Sequence, residues 1–117
     1  MIILVVFHLG MQLQWYQMPL FLSKKEVLVW VKNGVKTIEI RKGNPKRGDI
    51  AFFSSGPNKL KLHIIKKETG KITDLIRLDN YNSIIPTAKT LEEAIGYIQT
   101  LYGTDKGTFT AYYLSSN

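Results

Sequence analysis

The chain has 117 residues, 44% of them hydrophobic and 21% charged, and contains no cysteine. That is enough for one core and too little for two ordinary domains; it excludes a disulfide framework and a thiolate nucleophile, and with only His8 and His63 as imidazoles it all but excludes a His/Cys metal site. The net charge is +7, divided as +2 over residues 1–35, +6 over 36–70 and −1 over 71–117, a bias that attracts phosphate or anionic ligands unless it is only a solvated lysine-rich surface.

The opening run Met1–Phe7 is apolar but too short to span a bilayer, and without a basic flank it is a poor signal peptide. Residues 1–17 therefore read as an extension or an added strand, with Leu13 and Trp15 alternating against Gln12 and Gln14. Pro19-Leu20-Phe21-Leu22 would continue or repair that strand after a break. Ser23-Lys24-Lys25-Glu26 has the form of a capping box and opens a helix of about ten residues that stops at Asn33-Gly34.

Lys36 to Arg41 reads as a strand, with Ile38 and Ile40 on one side and Thr37, Glu39 and Arg41 on the other. Turn residues from Lys42 to Asp49 lead into a strand at Ile50–Phe53, and Ser55-Gly56-Pro57-Asn58 turns it into another in which Leu60, Leu62 and Ile64 alternate with Lys59, Lys61 and His63. The pairing predicts a hairpin over residues 49–67. Residues 72–78 fit a short helix or an extended crossover equally well. Thr90-Leu91-Glu92-Glu93 opens a second helix, apolar at Leu91, Ala94, Ile95, Ile98 and Leu101 and stopped by Gly103; Thr108–Leu114 closes the chain as a strand. Five or six strands with two or three helices, mostly neighbours in sequence, make an α+β fold with a curled or closed mixed sheet.

The segment Gly34-Val35-Lys36-Thr37-Ile38-Glu39-Ile40-Arg41, followed by Arg47-Gly48-Asp49-Ile50, resembles the ASCH domain family of the PUA-like superfamily. The resemblance runs from about Met18 to Leu114 and includes the late helix ending in Leu101-Tyr102-Gly103, so residues 18–117 are read as the ASCH/PUA-like domain. It implies a small β-barrel with helices beside a cleft, the Lys-Thr-x-Glu-x-Arg strand lining that cleft. Independently, a hydroxyl, a carboxylate and a guanidinium on one strand face, about 6.5–7 Å apart per step, can hydrogen-bond a polar ligand from several angles. The competing reading is an ion pair of Glu39 with Arg41 or Lys36 that holds the barrel together.

Two functions follow. In the first, an RNA-binding domain, Lys36, Thr37, Glu39 and Arg41 hold a nucleotide or an unstacked base, while Lys42, Lys46, Arg47, Lys59 and Lys61 take backbone phosphates; the partner is RNA or a nucleotide-like ligand, not a membrane, and the expected location is cytoplasmic. In the second, the resemblance implies a small amidohydrolase acting on acylated cytidine. Bacterial members of that kind use a Lys and a Thr on this strand and a Glu near the late helix. Lys36 matches their Lys, whereas Glu39 stands where their Thr stands and Thr87 falls near the place of their Glu, leaving Lys36 and Glu39 as the catalytic pair. Asp49 and His63 are read as structural or surface residues, and the aromatic residues, Trp30 among them, mostly as core.

Overall fold

The computed structural model describes residues 2–5, 14–17 and 19–115. Strands β1 (Ile2–Val5) and β2 (Gln14–Gln17) pair antiparallel as a separate two-stranded sheet. The main sheet is built from β3 (Leu20–Leu22), β4 (Ile38–Lys42), β5 (Ile50–Ser55), β6 (Asn58–Gly70) and β7 (Phe109–Leu114), in the order β3-β5-β6-β7-β4. Only β3 and β5 run parallel. Leu20–Leu22 is thus not a continuation of the preceding strand. Its backbone joins another sheet, with Phe52 N–H donating to Pro19 O and Ser23 N–H to Ser54 O at either end.

The curl of the sheet comes from β6. Its first half pairs with β5 across the Gly56-Pro57 turn and its second half with β7, and between Ile64 and Lys66 the register shifts. Such an irregularity bends a strand and raises its twist. The Ile65 side chain is left 70% exposed there. On the first half Leu62 and Ile64 enter the core while Lys59, Lys61 and His63 face out, as the alternation predicts. The result is a half-barrel.

Among the described residues four helices surround it: α1 (Lys25–Lys32), the single turns α2 (Ile72–Leu75) and α3 (Tyr81–Ile84), and α4 (Leu91–Tyr102). Two or three were expected; α3 is too short to leave a periodic signature. Inside the half-barrel, the Phe21 ring packs against Phe53 and Tyr112 with centroids 5.1 and 5.0 Å away, and Leu28 and Val31 of α1 join this cluster. On the other side of the sheet Ile38, Ile40, Phe109 and Ala111 pack against Ile72, Leu75, Ile84 and Ile98. With apolar layers on both sides, β7 is buried along almost its whole length, and β4 has only one end toward solvent.

Candidate functional site in the cleft between α1 and α4

Lys36 reaches its place through the end of α1. Gly34 adopts φ +76°, and the N–H groups of Gly34 and Val35 donate back to Val31 O at 3.1 Å and Trp30 O at 3.0 Å, a Schellman closure that needs a residue free to enter the left-handed region. The N–H of Lys36 shares the same Trp30 carbonyl. The chain then turns into β4 with the Lys36 side chain buried. Its ammonium donates to Ile38 O and Ile84 O and lies 3.2 Å from Glu39 Oε1, so three oxygens take its three protons.

Glu39 stands opposite Tyr112 in the β4–β7 register, on the sheet face turned toward the inside of the half-barrel. Its second oxygen, Oε2, accepts from Arg41 Nε at 3.1 Å and Nη2 at 2.7 Å. Burial alone would push the Glu39 carboxyl pKa up, but the charges of Lys36 and Arg41, with their hydrogen bonds, outweigh it and hold the group below the ordinary 4.5. Lys36 has one anion beside it and a second cation nearby, and there burial wins, lowering the ammonium pKa from 10.5. One carboxylate between two cations leaves the triad with a net positive charge.

Arg41 also closes the half-barrel. The edge strands of the sheet are β3 and β4, and Arg41 on β4 donates through Nη2 to Leu22 O at 3.1 Å and Ser23 Oγ at 3.2 Å, with its guanidinium carbon 4.7 Å from the Phe21 ring centroid. Side chains bridge these edges where the main sheet has no β3–β4 backbone pairing. Ser23 is drawn into this seam. The expected Ser23 capping box is therefore absent: α1 begins after Lys24, no side chain caps it, and the Ser23 hydroxyl donates to Phe21 O instead. Thr90 does cap α4, accepting from Glu93 N–H at 3.1 Å, while Glu93 reaches back to Lys89 N–H.

Above the triad a cleft of about 200 Å³ opens between α1 and α4. Its floor is Lys36, Glu39 and Arg41, and its walls include Trp30 from α1 and Tyr97 and Tyr102 from α4. The Tyr102 hydroxyl is spent on Ile40 O at 3.0 Å. Four polar groups of the lining residues are not spent: among the described residues Arg41 Nη1, Trp30 Nε1, the Tyr97 hydroxyl and the Lys24 ammonium, which lies 6.0 Å from the Tyr97 ring centroid, have no hydrogen-bond partner. Burial, reinforced by the charges of Glu26 and Glu39, raises the Tyr97 pKa, which keeps that hydroxyl a proton donor.

The structure brings Lys36, Glu39 and Arg41 together; Thr37, just before β4, is half-buried and lies outside the cleft lining, its backbone bonded to Ser83 O and Leu114 N. The strand starts two residues later than expected, which is why Thr37 leaves the row. Of the proposed phosphate ligands, Lys46 adjoins the seam, its ammonium 5.7 Å from the Phe21 centroid and 3.5 Å from Leu20 O. Lys42, Arg47 and Lys61 are exposed; Lys59 lies in a different groove, beside α1. Thr87 is exposed and is not part of the cleft. The cleft roles of Ser23, Trp30 and Tyr97 were missed. For Trp30 a signal existed, since the apolar residues of α1 cover more of the helix than one core-facing stripe requires. Among the described residues no cluster of His, Asp or Glu is arranged to hold a metal ion, and no helix is long and apolar enough to cross a membrane.

No family model and no curated protein matches the sequence. Solved structures do. The hypothetical protein PH0355 superposes with a TM-score of 0.68 at 19% identity, over 85% of this chain and 98% of that one. A mutant of ZmASCH from Zymomonas mobilis does so with a TM-score of 0.58 at 16% identity, over 82% of this chain and 66% of that one. The fold is ASCH-like.

Proposed function

We propose that the protein is an RNA-binding domain of the ASCH/PUA-like kind, and that its cleft holds a single unpaired base or nucleotide. One observation carries the reading: unspent donors on Arg41, Trp30 and Tyr97 sit between aromatic walls above a floor of net positive charge. Flat rings with hydrogen-bonding edges and an attached anion answer all three features at once. Size supports it as well, since about 200 Å³ falls below the roughly 300–1,000 Å³ of sites for drug-sized ligands and suits one nucleotide unit rather than a folded duplex. The surplus of +6 over residues 36–70 supplies the long-range attraction.

The test is a titration of single-stranded RNA at several salt concentrations against the wild type, Arg41→Gln and Trp30→Ala. Binding should weaken as salt rises, and Trp30→Ala should cost about 1–3 kcal/mol, the range for removing one stacked base. Absence of salt-dependent affinity for any RNA would overturn the reading. Turnover of an N-acylated cytidine, lost in both Lys36→Ala and Glu39→Ala, would put hydrolysis in its place. For that chemistry Lys36 would first have to release one of the oxygens that now hold its protons.

A further inference from the structure

Helix α1 carries two different surfaces. Lys24, Val27 and Trp30 line the cleft, whereas Lys25, Leu28, Val29 and Lys32 line a second groove of about 240 Å³, completed by the start of β6 at Asn58, Lys59 and Leu60. At about 100° per residue these stripes point roughly 150° apart, so the helix is a ridge between the two concavities. The second groove has an apolar floor, Leu28 and Leu60, and three ammonium groups at its edges, with no carboxylate in its lining. Among the described residues Lys25, Lys32 and Lys59 form no ion pair. Lys59 spends protons on Ser54 Oγ and Gly56 O, which holds the ammonium near the hairpin turn.

We propose that Lys25, Lys32 and Lys59 form a second subsite that takes the phosphodiester backbone of the same single strand whose base occupies the cleft. The inference rests on the reading above and sharpens it: the ligand is an oligonucleotide that crosses α1, not a free nucleotide. Like charges gathered without a counter-ion repel one another, and an extended polyanion relieves them by placing successive phosphates among them. The path is marked by sequence. Lys24 faces the cleft and Lys25 the groove, so a strand passing the first turn of α1 keeps a lysine beside it throughout. Glu26, exposed on the crest between the two stripes, disfavours a crossing farther along the helix. Lys61, on the same exposed face of β6 as Lys59, extends the basic track beyond the groove.

The experiment compares wild type, a triple variant Lys25→Ala/Lys32→Ala/Lys59→Ala, and a charge-matched control Lys71→Ala/Lys89→Ala/Lys106→Ala, whose three side chains are also exposed but lie outside both concavities. Each is titrated with uridine monophosphate and with a fluorescein-labelled oligouridylate of about eight nucleotides, a length within the site sizes of single-strand binders. A single-strand phosphate contact contributes roughly 0.7 to the logarithmic salt slope, so the groove variant should lose about 2 units of slope. Between roughly 50 and 200 mM salt, the wild type should therefore lose about 20-fold more oligonucleotide affinity than the groove variant. Mononucleotide binding should be unchanged, and the control should keep the wild-type slope. Oligonucleotide binding with an unaltered slope in the groove variant would overturn the second subsite and leave the cleft reading intact. Equal losses in groove variant and control would reduce it to general charge attraction and overturn it as well. No binding of either probe to the wild type would overturn both proposals.

Discussion

With Lys36 on one carboxylate oxygen and Arg41 on the other, Glu39 keeps a charge that its burial opposes. Replacing it by glutamine leaves two cations facing each other in a site where only one is partly exposed, and breaking a buried pair from one side costs about 3–5 kcal/mol. Urea unfolding of Glu39→Gln should show that loss as a lower midpoint with an unchanged slope. Acid provides an independent check on the same residue. Because the folded pKa of Glu39 lies below 4.5, the unfolded chain takes up the proton more readily; the stabilisation is complete above pH 4.5 and drains away as pH falls through the folded value. Stability measured downward from pH 6 should therefore fall less steeply in Glu39→Gln than in the wild type. Glu68, whose carboxyl is also held low, first by the Tyr113 hydroxyl and then by Arg77, supplies the slope that remains in the variant. Identical acid limbs in the two proteins would mean that Glu39 is not held ionised by its neighbours.

Two segments with the same Ser/Thr-x-x-Glu pattern take different structures, and the difference separates what the sequence makes legible from what it hides. Thr90 has no competing partner and caps α4; Ser23 has one, Arg41, which lies distant in sequence and adjacent in space. Thr90→Ala should accordingly cost about 1 kcal/mol of stability, the usual value of a lost cap. Ser23→Ala should leave the helix content of α1 unchanged by circular dichroism and instead weaken nucleotide binding, because Arg41 loses a hydrogen bond that orients it. A loss of helicity in Ser23→Ala would contradict that assignment. The same distinction holds elsewhere. The alternation of Lys59–Ile64 and the Gly103 stop are local patterns, and the structure follows them. The bulge at Ile65, the parallel pairing of Leu20–Leu22 and the burial of β7 on both faces depend on what packs from afar, as does the cleft role of Trp30, which local aromatic content assigns to the core. Glu39 and Arg41 could be read as neighbours because i and i+2 share one strand face, whereas Lys36 joins them only because the Gly34 closure of α1 delivers it ahead of β4; the aromatic walls that turn the constellation into a cleft come from α1 and α4.

At the scale of the molecule, the candidate cleft and the seam of the half-barrel share one side chain. The main sheet ends at β3 and β4, and Arg41 spans those edges through Leu22 O, Ser23 and the Phe21 ring while its Nη1 stays unpaired among the described residues, beside the cleft. An open sheet edge is held by fewer hydrogen bonds than an interior strand and opens at lower free energy. Removing the bridge in Arg41→Ala should therefore loosen the edges selectively. Amide hydrogen exchange should speed up at Leu20–Leu22 and Ile38–Lys42, whereas the ladder between β5 and β6, whose pairing does not involve Arg41, should keep its protection relative to global unfolding. Lysine at this position keeps the charge but lacks the planar fork that engages Glu39 and Leu22 O together, so Arg41→Lys should show most of the same edge loosening. On the proposed function, RNA would act in the opposite direction: at a free concentration of about 100 Kd a ligand stabilises the state it binds by about 2.7 kcal/mol, and that protection should include both edge strands in the wild type. Uniform acceleration across the whole sheet in Arg41→Ala would show that Arg41 supports global stability and does not act as a local clasp. Edge loosening in the variant with unaltered RNA affinity would separate the seam from the ligand site, leaving the guanidinium with only its structural task.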